Sequence, residues 1–444
     1  MSVSLRPVPR DLRMLAGRGR RVLAIALAPV LIATALTGCD EQLETTATCP
    51  ELCPEQQIAV KQVELQPVTF DTSVAGFPIR GQEDRLLVAG GDTMVDVRGI
   101  YRFDELRQYY TTAAGDSAAI TEVLAPTLRM LSSRVEARIP ADGATLEVYD
   151  VNAPGADTAV AELAPLFTPE RRLGTLLVLP APAGDTTRVD TLRIPLDPAA
   201  ILSRISGAGR IRVGVRVVAN EASRLALGHG AQLFFRAVPD TAVAEISISI
   251  ASDTPENDNL QRLDLASFPL IVRGTPTVTG PVLMVGGLPA QRSMLRFSIP
   301  PAIIDSSTII RATLVLTQTP LRGFAAGDSV VIKPLPVTAS QEVTDLNRLF
   351  QLAANPVSGG GEIRVVPRIT LAPGDSGKTE FVLANLVSLW ANRGGASLQP
   401  LLVLEVDQEG ATPLGAAFFS AEAPAALRPT LRLSYVRRIN FDLP

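Results

Sequence analysis

Short runs of alternating apolar and polar residues dominate the chain from about residue 57 onward. Ile211-Arg212-Val213-Gly214-Val215-Arg216-Val217 and Leu431-Arg432-Leu433-Ser434-Tyr435 are examples. A period of two sets one face of a strand on a core and the other in water. Glycine (33) and proline (35) are spread between these runs as turn residues. Many short strands with turn signals between them predict an all-β protein, a sandwich or a barrel. Helical spacing is scarce. Ala118–Leu131 is one candidate, and Pro198–Ile205 and Leu386–Asn392 are shorter ones.

Residues 1–38 follow a different pattern. Six arginines (Arg6, Arg10, Arg13, Arg18, Arg20, Arg21) precede the apolar run Val22–Leu36, which Pro29 interrupts. The run falls short of the ~20 residues that a spanning helix needs. A basic start, a short apolar core and small residues before a cut site describe a secretory signal. It ends in Leu36-Thr37-Gly38-Cys39, which resembles the bacterial lipobox. The resemblance implies a diacylglycerol thioether on Cys39, which becomes the mature N-terminus. Two or three acyl chains hold a protein stably on a membrane. The expected place is the cell envelope, with the outer membrane or cell surface favoured. Asp40 leaves the periplasmic face of the inner membrane open. Residues 39–56 read as a tether. Cys49 and Cys53 are the remaining cysteines, and an oxidising compartment makes a local disulfide the expectation. A metal site wants about four ligands, and no histidine lies nearby.

The chain then repeats itself at a spacing of about 190 residues, which indicates duplicated domains rather than a solenoid. Phe77-Pro78-Ile79-Arg80-Gly81 is echoed by Phe268-Pro269-Leu270-Ile271-Val272-Arg273-Gly274. Leu87-Val88-Ala89-Gly90-Gly91 is echoed by Leu283-Met284-Val285-Gly286-Gly287, and Arg98-Gly99-Ile100-Tyr101-Arg102-Phe103 by Arg292-Ser293-Met294-Leu295-Arg296-Phe297. Ala144-Thr145-Leu146-Glu147-Val148 matches Ala312-Thr313-Leu314-Val315-Leu316, and Gly184-Asp185 matches Gly374-Asp375. The order predicts two sandwich domains, 57–239 and 240–444. Between Phe103 and Ala144 the first copy carries extra residues, a helical insertion near 104–134. An insertion between sandwich strands leaves as a surface loop or lid. That makes its adjacent aromatics, Tyr109 and Tyr110, the candidate ligand contacts.

The closing part of the second copy runs Thr379-Glu380-Phe381-Val382-Leu383-Ala384-Asn385-Leu386-Val387-Ser388-Leu389-Trp390, then Arg393-Gly394-Gly395 and Leu401-Leu402-Val403-Leu404. Phe418-Phe419-Ser420-Ala421-Glu422 and Arg428-Pro429-Thr430-Leu431-Arg432-Leu433-Ser434-Tyr435 follow. This resembles the DNRLRE-type domain, related to disaggregatase-like and alginate-binding carbohydrate modules. The first copy departs from it, with Arg204 where Trp390 would align and no Ser-Ala-Glu element before Leu233. The resemblance implies a jelly-roll-like sandwich that binds carbohydrate or builds cell-surface architecture without catalysis of its own.

Charge narrows the partners. The whole chain carries −4, and residues 1–38 hold six arginines and one aspartate, so the remainder is near −9. A net acidic protein does not suit nucleic acid. Ala372-Pro373-Gly374-Asp375-Ser376-Gly377-Lys378-Thr379 fits a phosphate-loop pattern, but that loop must open a helix. Here Phe381–Ala384 reads as strand, so a hairpin turn is expected. Gly374-Asp375-Ser376-Gly377 resembles a serine-nucleophile loop, yet such a serine usually needs a histidine base. The single histidine, His229, sits between two glycines and reads as a turn residue. Acidic residues around Asp253, Glu256 and Asp258 read as a polar linker rather than a calcium loop. Trp390, on the apolar side of a short helix with Leu386 and Leu389, reads as core. The sequence therefore describes a non-enzymatic envelope lipoprotein that needs no cofactor and binds a glycan or polymer. A structural or assembly component touching other envelope proteins through sheet edges is the alternative. A polysaccharide-degrading enzyme is the weakest reading.

Overall fold

The structure, a computed structural model, describes residues 59–438 except 79–82, 92–93, 153–159, 183, 186, 208, 256–262, 277, 325–326, 339–365 and 394–399. The expected signal and tether, with Cys39, Cys49 and Cys53, lie outside the described residues.

In chain order the strands are β1 (Lys61–Leu65), β2 (Val68–Phe77), β3 (Leu86–Gly90), β4 (Asp96–Phe103), β5 (Tyr109–Thr111), β6 (Ser117–Ala119), β7 (Leu124–Arg138) and β8 (Ala144–Asp150). Next come β9 (Arg172–Val178), β10 (Val189–Pro195), β11 (Ile211–Val218), β12 (Ser223–Leu227), β13 (Gln232–Arg236), β14 (Ile246–Ser249), β15 (Thr254–Pro255), β16 (Leu263–Asp264) and β17 (Ser267–Arg273). The remaining strands are β18 (Val282–Gly286), β19 (Ala290–Phe297), β20 (Ser307–Thr319), β21 (Val330–Thr338), β22 (Ile369–Leu371), β23 (Gly377–Val382), β24 (Pro400–Val406), β25 (Gly415–Phe419) and β26 (Thr430–Arg437).

The protein is all-β and its pairings are antiparallel. One 11-stranded sheet runs β14-β13-β7-β12-β3-β4-β11-β8-β9, with β10 branching from β7 and β17 from β4. The other runs β1-β26-β20-β25-β18-β19-β24-β21-β22, with β23 branching from β20 and β2 from β19. Each strand of one sheet has a counterpart at the same place in the other. Each sheet closes over its own core, as a sandwich does. The first core gathers Leu86, Tyr101, Leu128, Val148, Val213 and Phe235, and the second Leu283, Leu295, Leu314, Phe381, Phe418 and Leu433. A short helix plugs each core. Pro198–Ser206 starts on Asp197, whose carboxylate accepts the Ala199 N–H at 3.0 Å, and buries Ile201 and Ile205. The cap and the Pro at N1 fix where it begins. Ala384–Arg393 buries Leu386, Val387 and Trp390 in the second core.

The chain does not divide at residue 240. β14 and β17 complete the first sheet, so the first repeat runs unbroken from β3 to β17. The second repeat is completed by β1 and β2, which precede the first. β1 pairs with β26 through five residues, Lys61↔Tyr435 to Leu65↔Leu431. β2 pairs with β19 from Phe297↔Val68 to Ala290↔Phe77. A domain boundary at 239/240 therefore gives way to one between β17 and β18, with residues 61–77 assigned to the second repeat. The cause is hydrogen bonding between strands far apart in the chain, which local hydrophobic pattern does not encode.

The helix expected at Ala118–Leu131 is strand instead. β7 runs through most of it, with Leu128 and Met130 buried and Leu131 48% exposed. The side chains at spacing two hold the core, and Leu131, which a helical spacing would bury, does not. The insertion near 104–134 thus reduces to the hairpin β5–β6, paired Tyr109↔Ala119. The second repeat has the helical turn Pro301–Ile304 at that place.

Two of the sequence echoes have a different register. Ser73 lies opposite Ser293 while Pro269 lies opposite Gly99, so Phe268 answers Thr72 rather than Phe77. Ala312-Thr313-Leu314 lies on β20, the counterpart of β7, whereas Ala144 opens β8. Triplets of the apolar–Thr–apolar kind suit any strand, so they do not fix register. The Gly-Gly echo does hold. An added Cβ on Gly90 would stand 2.6 Å from the Val217 carbonyl oxygen, and Gly91 has φ +86°. Gly287 repeats the positive φ of Gly91 at +84°, and Gly286, the counterpart of Gly90, adds a second at +79°. Only glycine takes that path without strain.

Phe381 is fully buried and stands edge-on to Phe418 at 6.2 Å. Phe381→Ala is expected to cost about 3–5 kcal/mol in denaturant unfolding. A loss below about 1 kcal/mol would contradict its place in the second core.

Candidate functional site

The two repeats meet across the outer faces of their sheets. Leu87, Ala89 and Val97 point away from the first core and pack against Leu288 of the second repeat. Beside this contact lies a cleft whose walls include Met94, Pro276, Phe324 and Pro413, with Arg138, Arg224 and Asp328 as its charged residues.

The charges follow from strand register. Arg138 and Arg224 lie directly opposite each other on β7 and β12, an arrangement that repels without an anion between them. Asp328, from the β20–β21 connection, supplies that anion. Its two oxygens accept Arg138 Nη1 at 3.0 Å and Arg224 Nη2 at 3.2 Å. The Asp328 side chain is 7% exposed and that of Arg138 38%. One carboxylate against two guanidiniums leaves these three residues with a net positive charge at the rim of an apolar cleft. That arrangement can hold a carboxylate or another anion while apolar carbon lies on Phe324 and Met94.

A second pair of equivalent positions latches the completing strands. On β2, Asp71 accepts the Ala421 N–H at 2.8 Å. Glu422, beside it, receives the Ser420 hydroxyl at 2.5 Å. Burial, with Glu422 adding to it against the Ala421 hydrogen bond, pushes the Asp71 carboxyl up to about 6. On β17 the matching residue is Ser267, 2.8 Å from His229 Nδ1. His229 Nε2 is 2.6 Å from the Glu83 carbonyl oxygen. That carbonyl only accepts, so Nε2 carries a proton. In the neutral ring Nδ1 is then the acceptor and the Ser267 hydroxyl donates. Ser267 is buried in a strand, so the pair ties β17 to the loop after β12. The sequence placed His229 in a turn but carried no sign of this partner 38 residues away.

The other singled-out residues are scattered. Tyr109 is 60% exposed, while Tyr110 faces the first core. Strand alternation sends the two rings to opposite sides, so they form no joint platform. Trp390 is buried and tilted against Phe297 at 5.6 Å. Residues 372–376 form a turn, with Asp375 N–H donating to the Ala372 carbonyl at 3.1 Å, but not the expected hairpin, because β22 pairs with β21 and β23 with β20. Lys378 lies inside β23 opposite Thr317. Asp253 accepts the Ala266 N–H at 2.6 Å, and Glu256 and Asp258 lie outside the described residues. Among the described residues no group of three or more His, Cys, Asp or Glu gathers as a metal site. No helix among them is long and apolar enough to cross a membrane.

No protein-family model and no curated protein matches the chain. A solved structure from Parabacteroides distasonis ATCC 8503, described as a secreted protein, aligns with 86% of this chain and all of its own at 10% identity. Its TM-score is 0.21, too low to carry an argument about fold or role.

Asp71 gives a pH test. Unfolded, its carboxyl has the ordinary value of 3.8, and folded it titrates near 6. Between those values the folded chain holds the extra proton, so this group's stabilisation falls as pH rises from about 4 to about 6. Thermal melts of Asp71→Asn against the parent chain are expected to diverge across that window, the variant gaining relative stability toward pH 7. Parallel pH profiles for the two chains would contradict this.

Proposed function

We propose that the chain is a lipid-anchored cell-envelope protein without catalytic activity that binds an anionic polymer, a glycan first, in the cleft between its repeats. The observation that carries this is the shared aspartate: Asp328 answers two opposed arginines, Arg138 and Arg224. A carboxylate-bearing sugar completes that charge balance, and Phe324 and Met94 take its apolar face. The lipobox resemblance at Cys39 supports the anchor, and the likeness to DNRLRE-type modules supports a binding role. A second reading, an assembly component acting through sheet edges, is favoured by the completion of the second repeat by β1 and β2, which precede the first.

The test uses the full-length chain with Cys39→Ser on an array of neutral and acidic polysaccharides. Binding to an acidic glycan is expected, weakened about tenfold or more by Arg138→Ala, the loss of one charge-assisted hydrogen bond. Arg138 is the more exposed of the two arginines and Asp328 keeps Arg224 as its counter-charge, so the melting temperature of the variant is expected to change little. Absence of acidic-glycan binding, or a variant that binds as well as the parent, would overturn the reading.

A further inference from the structure

We propose that β1 and β2 form an exchangeable closing unit that a second copy of this chain can accept, so that copies join head to tail. The inference stands on the strand pairings and is independent of the glycan reading.

The two repeats use the same donor arrangement with opposite chain direction. β14 and β17 complete the first repeat and then lead straight into β18, the first strand of the second repeat. β1 and β2 lead in the same way into β3, the first strand of the first repeat. Each such pair is thus the segment that enters one repeat and completes another. β14 and β17 complete the repeat behind them in the chain. β1 and β2 have no repeat behind them in the described residues, and they reach forward to the second repeat of their own copy.

The second repeat of a neighbouring copy offers the identical acceptor. It presents β26 for β1, β19 for β2, the Ala421 N–H for Asp71, and the Ser293 hydroxyl for Ser73 at 2.9 Å. Ser73 also accepts the Met284 N–H at 2.8 Å, and Ser293 donates to the Met284 carbonyl at 2.7 Å. Every one of these contacts forms as well between copies as within one. Only the link between β2 and β3 differs between the closed and the exchanged arrangement. Exchange of an identical element is a low-cost route to association. Because donor and acceptor are different surfaces, the contact is heterologous and continues into chains unless it closes into a ring. Within one copy the donor's high effective concentration favours the closed form, so open chains form when the protein is concentrated and β1–β2 has been released.

The experiment uses two full-length chains, Ser73→Cys and Ser293→Cys, each with Cys39, Cys49 and Cys53 replaced by Ser. Directly opposed antiparallel residues have Cα atoms about 4.5–5.5 Å apart, within the span of a disulfide. The chains are mixed, unfolded, refolded together at high protein concentration and oxidised. The proposal predicts a mixed disulfide dimer in yield well above that of either chain treated alone. A ladder of larger species is expected from the chain with native serines by size exclusion with light scattering. The chain carrying both substitutions, oxidised while dilute, is expected to lose that ladder. Gln62→Cys with Ser434→Cys, a facing pair on β1 and β26, gives the same readout should the serine network be needed for folding. Monomers throughout, or mixed dimers no more abundant than self-dimers for both pairs, would overturn the proposal.

Discussion

An unfilled place beside β19 would leave a row of backbone N–H and C=O groups without partners, and such an edge invites pairing with another chain. β2 fills it. Its register sets Ser73 into the buried hydroxyl network with Ser293 and Met284, and Asp71 onto the loop before β26. It also brings Phe77 against Arg292, whose guanidinium lies 4.4 Å from the ring centroid. The second sandwich therefore depends on a segment that enters the chain before the first sandwich begins. Ala59–Pro444 accordingly forms one compact unit.

Charges buried between elements follow the same logic of neutralisation at a distance. Arg292 grips both oxygens of Glu409, at 2.8 and 2.7 Å, and also meets Glu405, which Lys333 joins at 3.1 Å. Burial holds the Glu409 carboxyl above its usual range, against the opposing pull of Arg292. In the first repeat Arg98 takes the corresponding place, paired with Asp96 and lying 4.4 Å from the Phe167 ring centroid. Removing one partner from such a pair costs more than the pair contributes, because the remaining charge stays desolvated. Asp328 extends the pattern across the repeats, and the two arginines facing this one carboxylate leave the three residues net positive.

Much of this was legible in the sequence. Alternation gave the strands at Ile211–Val217 and Leu431–Tyr435 because one face of each packs on a core. The echo of Arg98–Phe103 in Arg292–Phe297 located the central strands because both repeats need an arginine beside a phenylalanine ring there. The Gly-Gly echo survived because backbone conformation demands it. The helix expected at Ala118–Leu131 failed because spacings of three and four occur by chance in an apolar strand, and Pro126 begins the better-packed strand pattern. The donor role of β1 and β2 was not legible, since period-two residues state that a strand exists and not which sheet receives it. Nor was the cleft. Arg138, Arg224 and Asp328 are far apart in sequence, and each alone looks like an ordinary surface charge.

Backbone amide hydrogen exchange in the native chain, resolved for residues 61–77, addresses the central claim most directly. Slow exchange across β2, matching β19 and lost together with it as denaturant is added, is the result that a completing strand requires. Fast exchange across β2 while β19 stays protected would contradict the account.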